Sequence, residues 1–407
     1  MKYQDVHEDL IKILEYCEMS KLPDPFLMED GSRVKSVSDW ERRRAEIYKT
    51  AVELQYGKMP PKPEFLEVEP LEHGRLSAYR IVTGTKECPI SFLMKVFMPQ
   101  KKGKFPVVIS GDMCWDLYFD PQRVKTFVDN DIALVIFDRT ELAPDINGYH
   151  LEMMEEGTPL YEMTKKAFET EFTGERQGQL YRTYPDCDCG AIGAWAWGYS
   201  RCVDALELLG AFDLSCITFT GLSRGGKTAL LAGALDERAA IVSPAGSGTG
   251  GSGAYRIKVK QLNEDGSEHI SEPLEILEKN FPFWMGKGMK EYHFNEDKLP
   301  FDSHFLKAMV APRVLFTADG ASDAWANPVG VWQTNEAARE VYKLYGKPEN
   351  LLWYVRRGFH NQTVEDMEQL VNVIRHVKYG EPLNERYHKL PFAPMAPAFD
   401  WCCPTEE

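Results

Sequence analysis

The segment Gly221-Leu222-Ser223-Arg224-Gly225 constrains this chain more than any other, because it joins a strand pattern directly to a helix pattern. Before it, Cys216-Ile217-Thr218-Phe219-Thr220 is rich in β-branched and aromatic residues. After it, Lys227-Thr228-Ala229-Leu230-Leu231-Ala232-Gly233-Ala234 is built of helix formers. A strand that becomes a helix within five residues must turn sharply, and glycines on both flanks remove side chains that would strike the neighbouring backbone. A serine at the apex of such a turn is a candidate nucleophile. An ordinary glycine-rich turn is the bland alternative, and the strand before and helix after argue against it.

The rest of the chain supplies a frame for that turn. Its 407 residues and 43% apolar content are enough for one large core. The run Phe105-Pro106-Val107-Val108-Ile109-Ser110-Gly111 and the run Ile132-Ala133-Leu134-Val135-Ile136-Phe137-Asp138 read as buried strands, separated by a candidate helix over 121–129. Further strands are expected at 240–243, 313–318 and 351–355, with helices over 193–209 and 363–376. Before these, 77–82 and 90–99 read as antiparallel strands. Residues 1 to about 65 read as a helical lead-in packed on the main domain. It opens with an amphipathic helix through Leu14 and contains a second helix from Asp39 towards Tyr56 that stops before Pro60-Pro61. The polar, aperiodic stretch 140–188 is expected to be an insertion near the mouth of the site. No linker separates two domains, so 1–407 is read as one domain.

The net charge of −15 argues against nucleic acid as a partner, since binding a phosphate backbone needs clustered Lys and Arg. No apolar run is long enough to span a bilayer, and no export signal is visible, so no membrane partner is expected. Nine cysteines, an odd number, are then simplest as reduced thiols, which points to a cytoplasmic location unless a leader was removed. Asp186-Cys187-Asp188-Cys189 gathers four potential metal ligands, but its spacing is not that of a zinc knuckle, and a structural role is favoured. No metal or cofactor is expected. The glycine-dense run 246–253 lacks the lysine of a phosphate loop and reads as a flexible or close-packed loop beneath the site.

A strand–Ser–helix turn in a mostly parallel sheet is the signature of the α/β-hydrolase fold, a three-layer αβα sandwich with antiparallel strands at its amino-terminal side. In that fold an acid and a histidine follow the serine in chain order, each on a loop leaving the carboxyl end of a strand. Two loops qualify. After the strand ending at Ala318 comes Asp319-Gly320-Ala321-Ser322-Asp323, and after the strand ending at Val355 comes Arg356-Arg357-Gly358-Phe359-His360. His360 is the candidate base, because imidazole titrates near neutrality and can take and return a proton. Asp323 is the preferred acid, with Asp319 its rival. His304 and His376 have weaker claims and read as structural. The backbone N–H of Arg224 is the expected oxyanion donor, with a second from the loop after Gly111. The guanidinium of Arg224 could add to it or form a salt bridge across the surface, and Lys227 on generic grounds is a solvated helix lysine.

The extended segment Gly221-Leu222-Ser223-Arg224-Gly225-Gly226-Lys227 resembles the G-x-S-R-x-G-K signature of the glucuronoyl esterases of carbohydrate esterase family 15. Similar matches lie at 232–238, 248–251, Phe281-Pro282-Phe283-Trp284 and Asp323-Ala324-Trp325-Ala326-Asn327-Pro328. Leu22-Pro23-Asp24-Pro25-Phe26, followed by Trp40-Glu41-Arg42-Arg43, is similar to bacterial members, so the likeness covers nearly the whole chain. The resemblance implies a serine esterase acting on (4-O-methyl-)glucuronic acid esters, through a Ser-His-Asp triad and an acyl-enzyme. The expected partner is a small uronate ester or a glucuronoxylan oligosaccharide. It implies Ser223 as nucleophile, His360 as base, Arg224 as oxyanion stabiliser, and Lys227, Glu272 and Trp325 as sugar contacts. In two respects the chain departs from the family: fungal members carry their triad glutamate at a position that is Gly246 here, which directs the acid role to the later loop and Asp323, and no leader is visible although polymer-acting members are exported. A carbohydrate deacetylase, or a catalytically silent carbohydrate-binding relative, are the competing readings.

Overall fold

The computed structural model describes residues 10–115, 120–145, 155–159, 161–162, 165–166, 169 and 176–404. Nine strands form the main sheet: β2 (Phe65–Glu72), β3 (Leu76–Gly84), β4 (Pro89–Phe97), β5 (Val107–Ser110), β6 (Ala133–Phe137), β7 (Ile217–Leu222), β8 (Ala239–Ala245), β11 (Val314–Gly320) and β12 (Leu351–Arg356). Their order is β12-β11-β8-β7-β5-β6-β4-β3-β2. The six strands from β12 to β6 run parallel, and β4, β3 and β2 add antiparallel pairs at the other edge.

Burial explains the difference between the two halves. Every residue of β5, β6 and β7 is buried, as strands covered on both faces must be, whereas β4 alternates between buried and partly exposed positions. Successive residues of β5 feed separate cores. Val107 and Ile109 join Trp195, Tyr199 and Leu230 on one face, and Val108 joins Phe127, Leu370 and Ile374 on the other. The first face is covered by helices Ala191–Leu209 and Arg224–Leu235, the second by Pro121–Val128 and Val364–Tyr379. Three layers result.

The lead-in differs from the sequence expectation. Residues 1–9 lie outside the described residues, and Lys12–Glu18 is a strand, β1, not the end of an amphipathic helix. It pairs antiparallel with β9 (Ile257–Leu262), which also pairs with β10 (Glu268–Ile270), in a second sheet of three strands. Most of β1 is exposed, so it carries no apolar period, and its partner lies far along the chain. The expected helix does form. Ser36 caps Val37–Ile47, its hydroxyl accepting from the Asp39 N–H at 3.1 Å, and Trp40, Arg43 and Ile47 turn inward. A π-helical turn, Tyr48–Glu53, carries the chain on to Tyr56, whose hydroxyl donates to the Gly250 carbonyl at 2.7 Å. Much of 140–188 lies outside the described residues; within it, Gln179–Thr183 is helical and the Gln179 amide bonds Ser91 and Glu141. Among the described residues no helix is long and apolar enough to cross a membrane.

Candidate active site

Ser223 stands between β7 and the helix Arg224–Leu235 with φ 58° and ψ −118°, a conformation costly for a residue with a Cβ. Surrounding bonds hold it there. The Ser223 N–H donates to the Ala245 carbonyl at 2.9 Å, and the N–H of Leu222 donates to Asp112 Oδ2 at 2.8 Å. A Cβ on Gly221 would strike the Gly225 carbonyl, and one on Gly225 would strike the Asp112 carboxylate. The flanking glycines are therefore steric requirements of this turn.

The two later loops meet beside the serine. His360 Nδ1 lies 2.6 Å from Asp323 Oδ2, and Asp323 is only 4% exposed. The loops are tied together: Ala321 N–H donates to the Arg356 carbonyl at 2.8 Å and Ser322 N–H to the Gly358 carbonyl at 2.9 Å. Arg356 braces the histidine loop by donating to the carbonyls of Phe359 and Asn361 at 3.0 and 2.6 Å. Burial pulls the imidazole of His360 down, but the hydrogen bond and charge of Asp323 outweigh it and hold the ring above the usual histidine range. Asp319 is placed elsewhere. It accepts from the indole N–H of Trp353 at 2.9 Å, and burial pushes it up to about 7. A Cβ on Gly246, which has φ +49°, would stand 3.2 Å from Asp323 Oδ2 and 3.4 Å from His360 Nδ1, so a side chain at that position would face the same pair.

Ser223, Arg224, Lys227, Gly246, Glu272, Trp325 and His360 line one cavity of about 190 Å³, together with Phe281 and Trp284. Asp323 joins them through its bond to His360, so the candidates come together except the rival acid Asp319. Lys227 is not solvated, as generic reasoning has it, but 3% exposed. Its Nζ donates to the carbonyls of Ser247 and Thr249 at 2.5 and 2.6 Å and lies 3.9 Å from Glu272 Oε2. Burial brings it down to about 8, against the pull of Glu272. Burial likewise raises Glu272, opposed by Lys227 and Lys258. Trp325 remains 37% exposed at the rim. The glycine run is close-packed: residues 246–254 are buried, and Ser247 and Ser252 bond each other at 2.8 Å.

Arg224 does not reach across the surface either. Its guanidinium sits over the rings of Trp284, Phe281 and Trp115 at 4.5, 4.9 and 5.1 Å and donates to Asp145 Oδ1 at 2.9 Å. Asp145 also takes the Trp284 indole N–H at 3.4 Å and lies 3.5 Å from Arg139, which is fully buried and paired with Asp112. A chain of charges thus runs from Arg224 through Asp145, Arg139 and Asp112 to the backbone of the serine turn. Sequence reasoning singled out none of the last three. For two of them a signal exists, because Asp112 follows β5 and Arg139 follows β6, at the carboxyl ends of parallel strands where such sheets place their sites. In the loop after Gly111, residues 116–119 lie outside the described residues. Among the described residues no group of three or more His, Cys, Asp or Glu side chains could hold a metal ion.

Known proteins resemble this chain in sequence and in fold. A family model for fungal glucuronyl esterases matches residues 154–346. The 4-O-methyl-glucuronoyl methylesterase of Schizophyllum commune is 31% identical over 334 residues, covering 81% of this chain and 75% of the relative. That of Phanerochaete carnosa is 27% identical over 344 residues, 84% and 76% of the two chains. Among solved structures, a carbohydrate esterase family 15 glucuronoyl esterase from Caldicellulosiruptor kristjansonii superposes with a TM-score of 0.76 at 27% identity, covering 95% of this chain and 98% of that one. The glucuronoyl esterase catalytic domain from Hypocrea jecorina shares the fold, with a TM-score of 0.71 at 23% identity and coverage of 97% and 99%. The α/β-hydrolase frame, the matched length and these identities lead to one conclusion: the chain belongs to the glucuronoyl esterase family, carbohydrate esterase family 15.

Proposed function

We propose that this chain hydrolyses esters of glucuronic acid or its 4-O-methyl ether, with Ser223 as nucleophile, His360 as base and Asp323 as the triad acid. The observation that carries the reading is the His360–Asp323 contact of 2.6 Å, in one cavity with Ser223, Lys227, Glu272 and Trp325. With Nδ1 committed to Asp323, Nε2 is the nitrogen that takes the Ser223 proton as Oγ attacks the ester carbonyl. The carbonyl oxygen becomes an oxyanion, met by the Arg224 N–H and guanidinium. Collapse expels the alcohol, which receives the proton from His360, and water then repeats the sequence on the acyl-enzyme. Lys227, Glu272 and Trp325 bind sugar hydroxyls, an ammonium and an indole N–H as donors and a carboxylate as acceptor. The relatives' name, 4-O-methyl-glucuronoyl methylesterase, supports this substrate class, as does the solved 25% identical esterase of Sporotrichum thermophile in complex with methyl 4-O-methyl-β-D-glucopyranuronate. A glucuronoxylan oligosaccharide carrying such an ester is the larger substrate expected.

Benzyl glucuronate and an acetylated xylooligosaccharide separate this reading from deacetylation. Release of glucuronic acid from the first, abolished in Ser223→Ala, is the expected outcome. Turnover of the acetyl ester alone overturns it.

A further inference from the structure

The pair Cys187 and Cys189 plays no part in the chemistry above, yet its geometry is that of a dithiol ready to close. The two sulfurs lie 3.3 Å apart. Asp188 between them turns the other way, its Oδ1 accepting the Lys58 N–H at 2.7 Å, so both thiols sit on one side of the chain. The segment is clamped by close glycine contacts: a Cβ on Gly57 would come within 2.7 Å of the Cys189 Cα, and one on Gly193 within 2.8 Å of the Cys189 Cβ.

Access to the two sulfurs is unequal. Cys189 is wholly enclosed, and burial keeps it a thiol. Cys187 lines a cavity of about 360 Å³ with Lys58, Met59, Thr183, Tyr184 and Asp186. The hydrogen bond with Cys189 is the largest influence on Cys187 and lowers it, against burial and the charge of Asp188, with Arg176 helping. Cys187 is itself only 7% exposed and its Sγ donates to the Lys58 carbonyl at 3.2 Å, but it borders the cavity and Cys189 does not; a cavity-lining sulfur beside a fully enclosed one is the arrangement of an attacking and a resolving cysteine.

We propose that Cys187 and Cys189 form a reversible oxidation site that takes hydrogen peroxide and closes to a disulfide. The Cys187 thiolate attacks one peroxide oxygen and the O–O bond breaks. The departing hydroxide leaves as water with the proton the thiol gave up, and Cys187 becomes a sulfenic acid. The Cys189 sulfur then attacks the Cys187 sulfur, forming the S–S bond, and its proton leaves with the sulfenic oxygen as a second water. Two thiols lose two electrons and two protons, and one peroxide becomes two waters. Closure requires the sulfurs to approach from 3.3 Å to the disulfide bond length of about 2.05 Å. The site lies next to the reactive cavity in the chain. The Gly190 N–H donates to the Tyr56 carbonyl at 2.7 Å, and the Ala191 N–H donates to the Phe283 carbonyl at 2.8 Å, beside Trp284.

The test treats the full-length protein with hydrogen peroxide under native conditions, alkylates remaining thiols and maps all cysteines by peptide mass. The peptide holding Cys187 and Cys189 is expected to lose two hydrogens about tenfold faster than exposed Cys17 or Cys402 is oxidised, and to regain them with dithiothreitol. Cys189→Ser is expected to leave a sulfenic acid on Cys187 that dimedone captures, and Cys187→Ser to leave Cys189 unmodified. Oxidation of Cys17 and Cys402 while both members of the pair remain alkylatable overturns the proposal, as does a disulfide that forms only in denaturant.

Discussion

Replacing Asp145 by asparagine keeps the shape of the side chain and removes the negative charge between Arg224 and Arg139. The 2.9 Å contact with Arg224 is a charge-assisted hydrogen bond with both partners largely buried, worth about 2–3 kcal/mol. Without it the two guanidinium groups face each other, and burial, already the largest influence lowering Arg224, is less opposed. A loss of about 2–3 kcal/mol from the held position of Arg224 corresponds to a kcat lower by about 30- to 160-fold, within the 10²- to 10³-fold ceiling for losing an oxyanion donor. Asp145 does not line the reactive cavity, so KM should stay within about twofold. Leaving Arg139 with Asp112 as its close partner should also lower stability in urea unfolding, by less than the loss of a sole partner would. Steady-state kinetics on benzyl glucuronate, with Asp145→Glu as a partial rescue, reads the first effect apart from the second. If Asp145→Asn keeps kcat within threefold of the parent while Arg224→Ala loses about 10²-fold, the aromatic rings alone hold Arg224 and the reasoning fails.

Asp323→Asn should lower kcat by about 10⁴-fold, whereas Asp319→Asn should change it far less, because only Asp323 touches the imidazole; the reverse order would move the acid role to Asp319. The acid limb of kcat/KM reports His360 losing its proton to become a base, so it should lie above the usual histidine range, and an imidazole NMR titration should show it fall in Asp323→Asn as burial is left unopposed. His304 is fully buried, its Nε2 2.8 Å from the Pro23 carbonyl, and burial draws it down from 6.5 to about 4. Between those values the unfolded chain binds the extra proton, so stability should fall by about 3 kcal/mol as pH drops through that window. His304→Gln should remove that slope in urea titrations at pH 7 and 5, and an unchanged slope would assign the acid loss to other groups.

Features set by local forces could be read in the sequence. The serine turn, β5 to β7 and the loops carrying Asp323 and His360 were legible because buried parallel strands leave unbroken apolar runs and the fold fixes the chain order of serine, acid and histidine. Lys227 was legible only through the family signature, since a lysine on a helix is ordinarily solvated and nothing local shows that a glycine run will fold over it. β1 was misread because its pairing with β9 is decided by a distant segment. Asp145 gave no signal at all: it lies in an aperiodic stretch, and its importance comes from two arginines contributed by separate strand ends.

The carbonyls of Ser247 and Thr249 have a stereochemical consequence. An ammonium group owns three N–H bonds, and the two carbonyls occupy two of them. A ligand therefore meets one remaining hydrogen, whose direction is set by a tetrahedral nitrogen and a rigid stretch of backbone. Glu272 Oε2, at 3.9 Å, is too far to receive that hydrogen directly but near enough to share a hydroxyl placed between them. Only one configuration at the carbon bearing that hydroxyl serves both partners, so inverting it forfeits two bonds together. Handedness in the proposed sugar ligand would thus be sensed through the backbone carbonyls that aim the ammonium.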